Sequence, residues 1–289
     1  MPTPGDDVRQ SGCSNDHVIG DEQLTDYLPR NDLRRAGERP RSPDGVGGIQ
    51  LSHVTKQFLS DQPPAVKDFS LTIAEGDFVV LVGESGAGKS TVLRLVAGLE
   101  SPDAGDIYVG GLWVNDVPVG RRGVQVIFQS LALWPHLKVL DEEHLSNISF
   151  PLKMRRWSVD RIRRRTRDVT ERVGLQQTLF NRKPAELSGG EGQRVALARA
   201  MVTDSTVYVM DEPLNSLDPI NRMKMRSEVR RLHDEIGSTT LFVTHDIREA
   251  LVLADQIAIM RAGSLVQVGT PDTLRDYPAD PYVTELLNA

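Results

Sequence analysis

From Ile49 onward, short apolar runs alternate with stretches whose apolar residues recur at helical spacing. That is the pattern of an α/β fold built on a largely parallel sheet. Four runs stand out: Phe78–Val82, Gln125–Phe128, Thr206–Met210 and Thr240–Thr244. Each is rich in β-branched or aromatic residues, and three are nearly continuous in apolar side chains, which predicts strands buried on both faces. The residues that follow them are polar: a glycine-rich loop, Gln129, the pair Asp211-Glu212, and His245. Open α/β sheets bind ligands at the carboxyl ends of their strands, so the four ends predict one convergent site.

Between Ser130 and about Leu187 the chain reads as helical and basic, with seven arginines and one aspartate from Arg155 to Arg167. The pattern fits a solvated helix face better than a phosphate or headgroup patch, because the overall charge balance is acidic and the single aromatic in the stretch, Trp157, makes no interleaved series of base-stacking platforms. Residues 1–48 differ from the rest. They are rich in Asp, Arg, Pro and Gly and end in the turn-forming run RPRSPDGVGG. Their composition predicts disorder, with a short docking helix around Asp21–Leu28 as the alternative.

Composition narrows the class. Cys13 is the only cysteine of the 289 residues, which rules out an internal disulfide framework and fits a reducing compartment. No run approaches the roughly 20 apolar residues of a membrane span, and the N-terminal decapeptide has no apolar core of a secretory signal. A net charge of −6 gives no global reason to expect nucleic acid. A cytosolic globular protein is the expectation.

The segment Gly83-Glu-Ser-Gly-Ala-Gly-Lys89-Ser90 fits G-x-x-x-x-G-K-[ST] between a strand and the expected helix Ser90–Leu99. Glycines let the backbone wrap so that successive N–H groups face phosphate, and the helix N-terminus adds positive potential. Candidate nucleotide contacts are therefore Gly83, Glu84, Ser85, Gly86, Ala87, Gly88, Lys89, Ser90 and Thr91. Lys89 suits the β- and γ-phosphates, and the Ser90 hydroxyl suits Mg²⁺. Asp211 is a second magnesium candidate. Glu212 is the candidate base for an attacking water, and His245 is placed to contact a γ-phosphate and hold that water. A second helix N-terminus, Leu187-Ser-Gly-Gly-Glu-Gly-Gln-Arg194, offers Ser188, Gly189 and Gly190 to an anion. One chain needs only one γ-phosphate site, so this predicts a head-to-tail pair in which Ser188 faces ATP held by the other subunit.

These ordered motifs resemble the ATP-binding subunit of an ABC transporter, from about Ile49 to the C-terminus. GESGAGKS is similar to the Walker A loop and VYVMDE to the Walker B strand. Gln129 is similar to the Q-loop glutamine, LSGGEGQR to the family signature, Ser216-Leu217-Asp218 to the D-loop and His245 to the switch histidine. The resemblance implies a P-loop NTPase with a RecA-like α/β core and a mixed, mostly parallel sheet. It adds an inserted helical subdomain over about 130–187, a small antiparallel β-region and a short tail over about 270–289. It implies catalytic roles for Glu212, His245 and Gln129, Gln129 also as a Mg²⁺ ligand. Phe58 stands where an aromatic stacks on adenine, and Asp218 counts as a nucleotide-site residue. ATP and Mg²⁺ follow, with transmembrane permease subunits, a second ATP-binding subunit and a solute-binding protein as partners at the cytoplasmic side of the cell membrane; no nucleic acid is expected.

Gln129-Ser-Leu-Ala-Leu-Trp-Pro-His136 and Val266-Gln-Val-Gly-Thr-Pro271 resemble importers of the sugar, polyamine and ferric-iron type. An exporter, a lipid-handling subunit or a nucleic-acid- or ribosome-associated switch is the alternative. Such importers often continue into a regulatory β-domain, and with the sequence ending at Ala289 the expectation is that this chain lacks one. Three departures accompany the match: Glu191-Gly192 where glutamines are common, Asn215 where a small hydroxyl is usual, and extra residues over Leu140–Ser146. Glu191 favours its helix N-terminus and is expected to alter ATP affinity quantitatively.

Overall fold

A computed structural model describes residues 41–42 and 47–288. These fall in one compact unit over residues 40–289. The disorder and the Asp21–Leu28 helix expected for the N-terminal extension lie outside the described residues. At its end, Arg41 bridges to Leu112 and the Ser42 N–H donates to the Gly111 carbonyl at 3.1 Å, so pairing begins before Ile49.

In chain order the elements are β1 (Ile49–Lys56), β2 (Val66–Ile73), β3 (Phe78–Val82), α1 (Lys89–Ala97), β4 (Ala104–Val109), β5 (Leu112–Trp113) and β6 (Val124–Ile127). There follow α2 (Phe150–Met154), α3 (Val159–Arg172), α4 (Gly189–Met201), β7 (Val207–Asp211), α5 (Pro219–Ile236) and β8 (Thr239–Thr244). The chain closes with α6 (Ile247–Leu253), β9 (Gln256–Arg261), β10 (Ser264–Gly269), α7 (Pro271–Asp276) and α8 (Pro281–Leu287). The strands form a six-stranded sheet in the order β10-β9-β3-β8-β7-β6 and a four-stranded sheet β2-β1-β4-β5. The second sheet is antiparallel throughout. In the first, β9, β3, β8, β7 and β6 pair in parallel and β10 runs against β9.

The four expected strands are present, with ends shifted by no more than one residue. Their near-continuous apolarity reflects two cores. Phe78, Val80 and Val82 enter one cluster with residues of α4, α5 and α6, while Val79 and Leu81 enter the other with α1 and the antiparallel sheet. Successive strand side chains point to opposite faces, so every position of β3 is buried. The first helix starts at Lys89 and ends at Ala97, two residues short of expectation, because Gly98 adopts φ 80° as a left-handed cap.

Between Gln129 and α4, regular helix is limited to α2, α3 and short 3₁₀ turns. The rest is held by side chains. Asn147, fully buried, donates to the carbonyls of Trp134, Leu137 and Lys138 and accepts from the Trp134 N–H. The expected extra loop over 140–146 is latched from within, as the Ser146 and Ser149 hydroxyls both donate to the Asp141 carbonyl. Along the arginine-rich stretch, Arg163 pairs with Glu142 and Arg165 ties down the end of α4 through the Met201 and Val202 carbonyls and Asp204. Arg161 lies over the Trp157 ring at 3.6 Å. Among the described residues no helix is long and apolar enough to cross a membrane.

Candidate nucleotide site at the carboxyl edge of the sheet

Because β3, β8, β7 and β6 are neighbours and parallel, their carboxyl ends share one edge. Val82 lies opposite Thr244, Asp211 opposite Val243, and Ile127 opposite Met210. The loop after β3, His245, Asp211-Glu212 and Gln129 therefore leave the sheet side by side.

The loop from Gly83 to Gly88 is shaped by what a side chain would strike. A Cβ on Gly83 would lie 2.1 Å from the Met260 carbonyl oxygen, and one on Gly88, at φ 102°, would lie 2.1 Å from that of Ala65. Neither neighbour is a side chain that could move aside. Glu84, Ser85 and Gly86 are exposed, Ala87 is buried, and Ser90 and Thr91 are partly covered. Lys89 is buried, and its ammonium donates to the Gly83 and Glu84 carbonyls at 2.8 and 2.9 Å. Burial pushes its pKa below the ordinary lysine value, against the pull of Glu212 and Asp211.

The Ser90 hydroxyl donates to Asp211 Oδ1 at 2.9 Å. Burial raises the Asp211 carboxyl above the usual range, and the Ser90 hydrogen bond opposes that rise. A hydroxyl and a carboxylate oxygen in contact suit a hard cation that keeps few protein ligands and takes phosphate oxygens for the rest. Among the described residues no group of three His, Cys, Asp or Glu gathers as an all-protein cage, which agrees with that donor set. The residues present thus fit Mg²⁺ carried with a phosphate.

Glu212 adopts φ 43°. Its N–H still donates to the Val243 carbonyl at 2.9 Å, which keeps it in register with β8. Its Oε2 lies 3.1 Å from His245 Nδ1 and 3.1 Å from Asn215 Nδ2. A carboxylate only accepts, so Nδ1 carries the hydrogen of the first contact. The Glu212 side chain is 18% exposed and that of His245 45%: a partly desolvated carboxylate beside an accessible imidazole. Behind His245, the Thr244 hydroxyl donates to the buried Glu249 carboxylate at 2.8 Å and accepts from the Asp246 N–H, which fixes the turn. Neither Asn215 nor Glu249 figured among the sequence candidates for this site, although Thr244 and Glu249 flank His245 closely.

Three candidates stand apart from this centre. Gln129 is exposed and makes no hydrogen bond to Ser90, Asp211 or Glu212. The turn after it is clamped: Leu131 and Ala132, both at positive φ, present their carbonyls to Arg199 of α4, each at 2.6 Å. Phe58 is 52% exposed, with Lys56 Nζ 5.5 Å from its ring centroid. Asp218 caps α5, accepting from the N–H groups of Ile220 and Asn221 and from the Asn221 side chain.

Ser188, Gly189 and Gly190 open α4 through a capping box. The Glu191 N–H donates to Ser188 Oγ, and the Glu191 carboxylate accepts from the Ser188 N–H at 2.7 Å. That backbone hydrogen bond holds the Glu191 carboxyl below the usual range. Gly189 sits close to the D-loop, where a Cβ would lie 3.2 Å from Leu217 Cδ2.

A family model described as ABC transporter matches residues 66–215. Trehalose/maltose import ATP-binding protein MalK of Thermococcus litoralis is 45% identical over 250 residues, covering 84% of this chain and 65% of that protein. Oligosaccharides import ATP-binding protein MsmX of Bacillus subtilis is 45% identical over 235 residues, covering 81% and 62%. The chain therefore spans a little under two thirds of the length of these relatives. Among solved structures, a dimeric post-hydrolysis state of the ATP-binding cassette MJ0796 bound to ADP and Pi superposes with a TM-score of 0.67 at 30% identity, covering 77% of this chain and 98% of that one. With its strand-end site and these matches, the chain belongs to the ABC transporter family.

Proposed function

We propose that the chain is the ATP-hydrolysing subunit of a solute importer, working as one of two such subunits beneath separate transmembrane permease subunits at the cytoplasmic face of the cell membrane. The observation that carries the reading is the shared edge on which Lys89, the Ser90–Asp211 pair and the Glu212–His245 pair meet. The loop N–H groups and Lys89 would hold the β- and γ-phosphates of ATP. Ser90 and Asp211 would hold Mg²⁺, with Gln129 joining them on closure, and the ion supplies charge neutralisation at the phosphates. Glu212 takes the proton of the attacking water. As the water oxygen bonds to the γ-phosphorus, the bond to the bridging oxygen breaks and its electron pair leaves with ADP. His245 holds the Glu212 carboxylate and the γ-phosphate side of the site.

Ser188, with the N–H groups of Gly189 and Gly190, would complete the γ-phosphate site of the second subunit, and that subunit's α4 would complete this one. ATP then closes the pair and hydrolysis reopens it, a switch driven by one phosphate. The dimeric neighbour supports pairing, and the importers named among the relatives support a sugar-type solute; a solute-binding protein delivering it to the permease is part of the same proposal. Gln129 and the turn clamped by Arg199 form the proposed relay to the permease. The test is affinity purification of the tagged chain from native membranes in mild detergent. Stoichiometric multi-span subunits are expected; repeated recovery of soluble or ribosomal partners alone would contradict the assignment.

A further inference from the structure

Glu212 is gripped from its own turn as well as from β8. The Asn215 N–H donates to the Glu212 carbonyl at 3.2 Å, closing a tight turn through the buried Pro213 and Leu214. The same residue then sends its side-chain amide to Glu212 Oε2 at 3.1 Å, the oxygen that also faces His245 Nδ1. Both protein contacts fall on Oε2, and among the described residues no donor reaches Oε1. The terminal torsion of a glutamate is broad and nearly two-fold. A single donor on one oxygen leaves the carboxylate plane free to rock, whereas two donors from different elements fix it. The positive φ of Glu212 brings this about, since it turns the chain back on itself immediately after the strand.

We propose that Asn215 is a positioning residue for hydrolysis: its amide, with His245, locks Glu212 Oε2 and leaves Oε1 as the oxygen that receives the proton of the attacking water. The inference rests on the ATPase reading above and assigns a task to a residue that reading leaves idle. Asn215 touches no substrate atom; it acts through the orientation of Glu212, and small misplacements of a reacting group are costly in rate. A general base contributes about 10²–10⁴ in rate, and loosening it while keeping it present forfeits part of that.

The test is a double-mutant cycle on the full chain, with steady-state and single-turnover ATPase and separate nucleotide-binding titrations. Asn215→Ala is expected to lower kcat about tenfold, with KM and nucleotide affinity within about twofold of the parent. In a Glu212→Gln background the same substitution is expected to change the residual turnover by less than about twofold, because its effect passes through the carboxylate. Asn215→Asp, equal in shape but lacking the donor, should reproduce the loss with unchanged thermal unfolding. An unaltered kcat in Asn215→Ala, or equal losses in both backgrounds, would overturn the proposal and leave the ATPase reading standing. A parent chain without ATPase activity would overturn both.

Discussion

Ser90 and Asp211 stand 121 residues apart in sequence, yet the hydroxyl of one donates to the carboxylate of the other across 2.9 Å. The contact joins the first turn of α1 to the end of β7 and brings together two oxygens suited to a divalent cation from separate elements. Ser90→Ala leaves Asp211 alone. The expected outcome is a Mg²⁺ requirement for ATPase raised about tenfold or more, the range for losing a supporting ligand, with little change in affinity for nucleotide without metal. Magnesium titration of the ATPase rate checks it.

Gly88 tests the loop geometry itself. Its φ of 102° and the Ala65 carbonyl 2.1 Å from an added Cβ mean that Gly88→Ala must displace backbone. The expected result is nucleotide affinity reduced at least tenfold, read by titration with a fluorescent ATP analogue. Gly86→Ala meets nothing within 4 Å and bears only the cost of its positive φ of 83°, so its loss of affinity should be smaller than that of Gly88→Ala measured in the same titration.

Arg199 ties the helix that begins at Ser188 to the turn after Gln129. Burial lowers its pKa, and it is held by the Leu131 and Ala132 carbonyls and stacks 5.1 Å from the Trp134 centroid. Arg199→Ala should raise amide exchange over residues 130–136, and Arg199→Lys should not restore protection, because an ammonium lacks the guanidinium fork. Full protection in the lysine variant would contradict the clamp.

His233 sets a pH dependence of stability. It is buried against Phe78, ring centroids 5.0 Å apart, with Nδ1 3.0 Å from the Thr240 hydroxyl. Burial, then the charge of Arg230, pushes its pKa below the ordinary histidine value of about 6.5. Above that value neither folded nor unfolded chain protonates this imidazole. As pH falls below it, the unfolded chain takes up the proton first and stability drops until the lowered folded value is passed. His233→Gln should flatten this acid-side loss, measured as thermal midpoints across pH 5 to 8, a window set around the ordinary histidine value. An identical pH profile in the variant would count against it.

Four strands of the six-stranded sheet and the residues at their ends are legible because two-sided burial makes β3 and β7 almost wholly apolar up to their ends and fills β8 with β-branched and apolar residues, and because what ends such a strand must be polar for a reason; β9 and β10 are not among the four runs that this pattern singles out. Ser188 and Glu191 spell a capping box three residues apart. Glu191 favours the helix N-terminus as the sequence suggests, and it does so by turning its carboxylate onto the Ser188 N–H. The grip of Asn215 on Glu212 was hidden, because it depends on a left-handed φ at a glutamate, which no composition rule suggests. The clamp on Leu131 and Ala132 was hidden for a similar reason: the bonds join residues 67 and 68 positions apart, and carbonyls carry no residue signature. Asp218 shows the reverse, a residue that the family resemblance puts in the nucleotide site and whose carboxylate is engaged here in capping α5.

The central claim is that two chains close on ATP and that Glu212 opens them again by hydrolysis. Its most direct test is Glu212→Gln with MgATP, followed by sedimentation velocity and by counting bound nucleotide. The account predicts a stable dimer retaining two unhydrolysed ATP molecules, with turnover lowered by about 10²–10⁴. A monomer that binds ATP, or a variant that turns over at the parent rate, would contradict it.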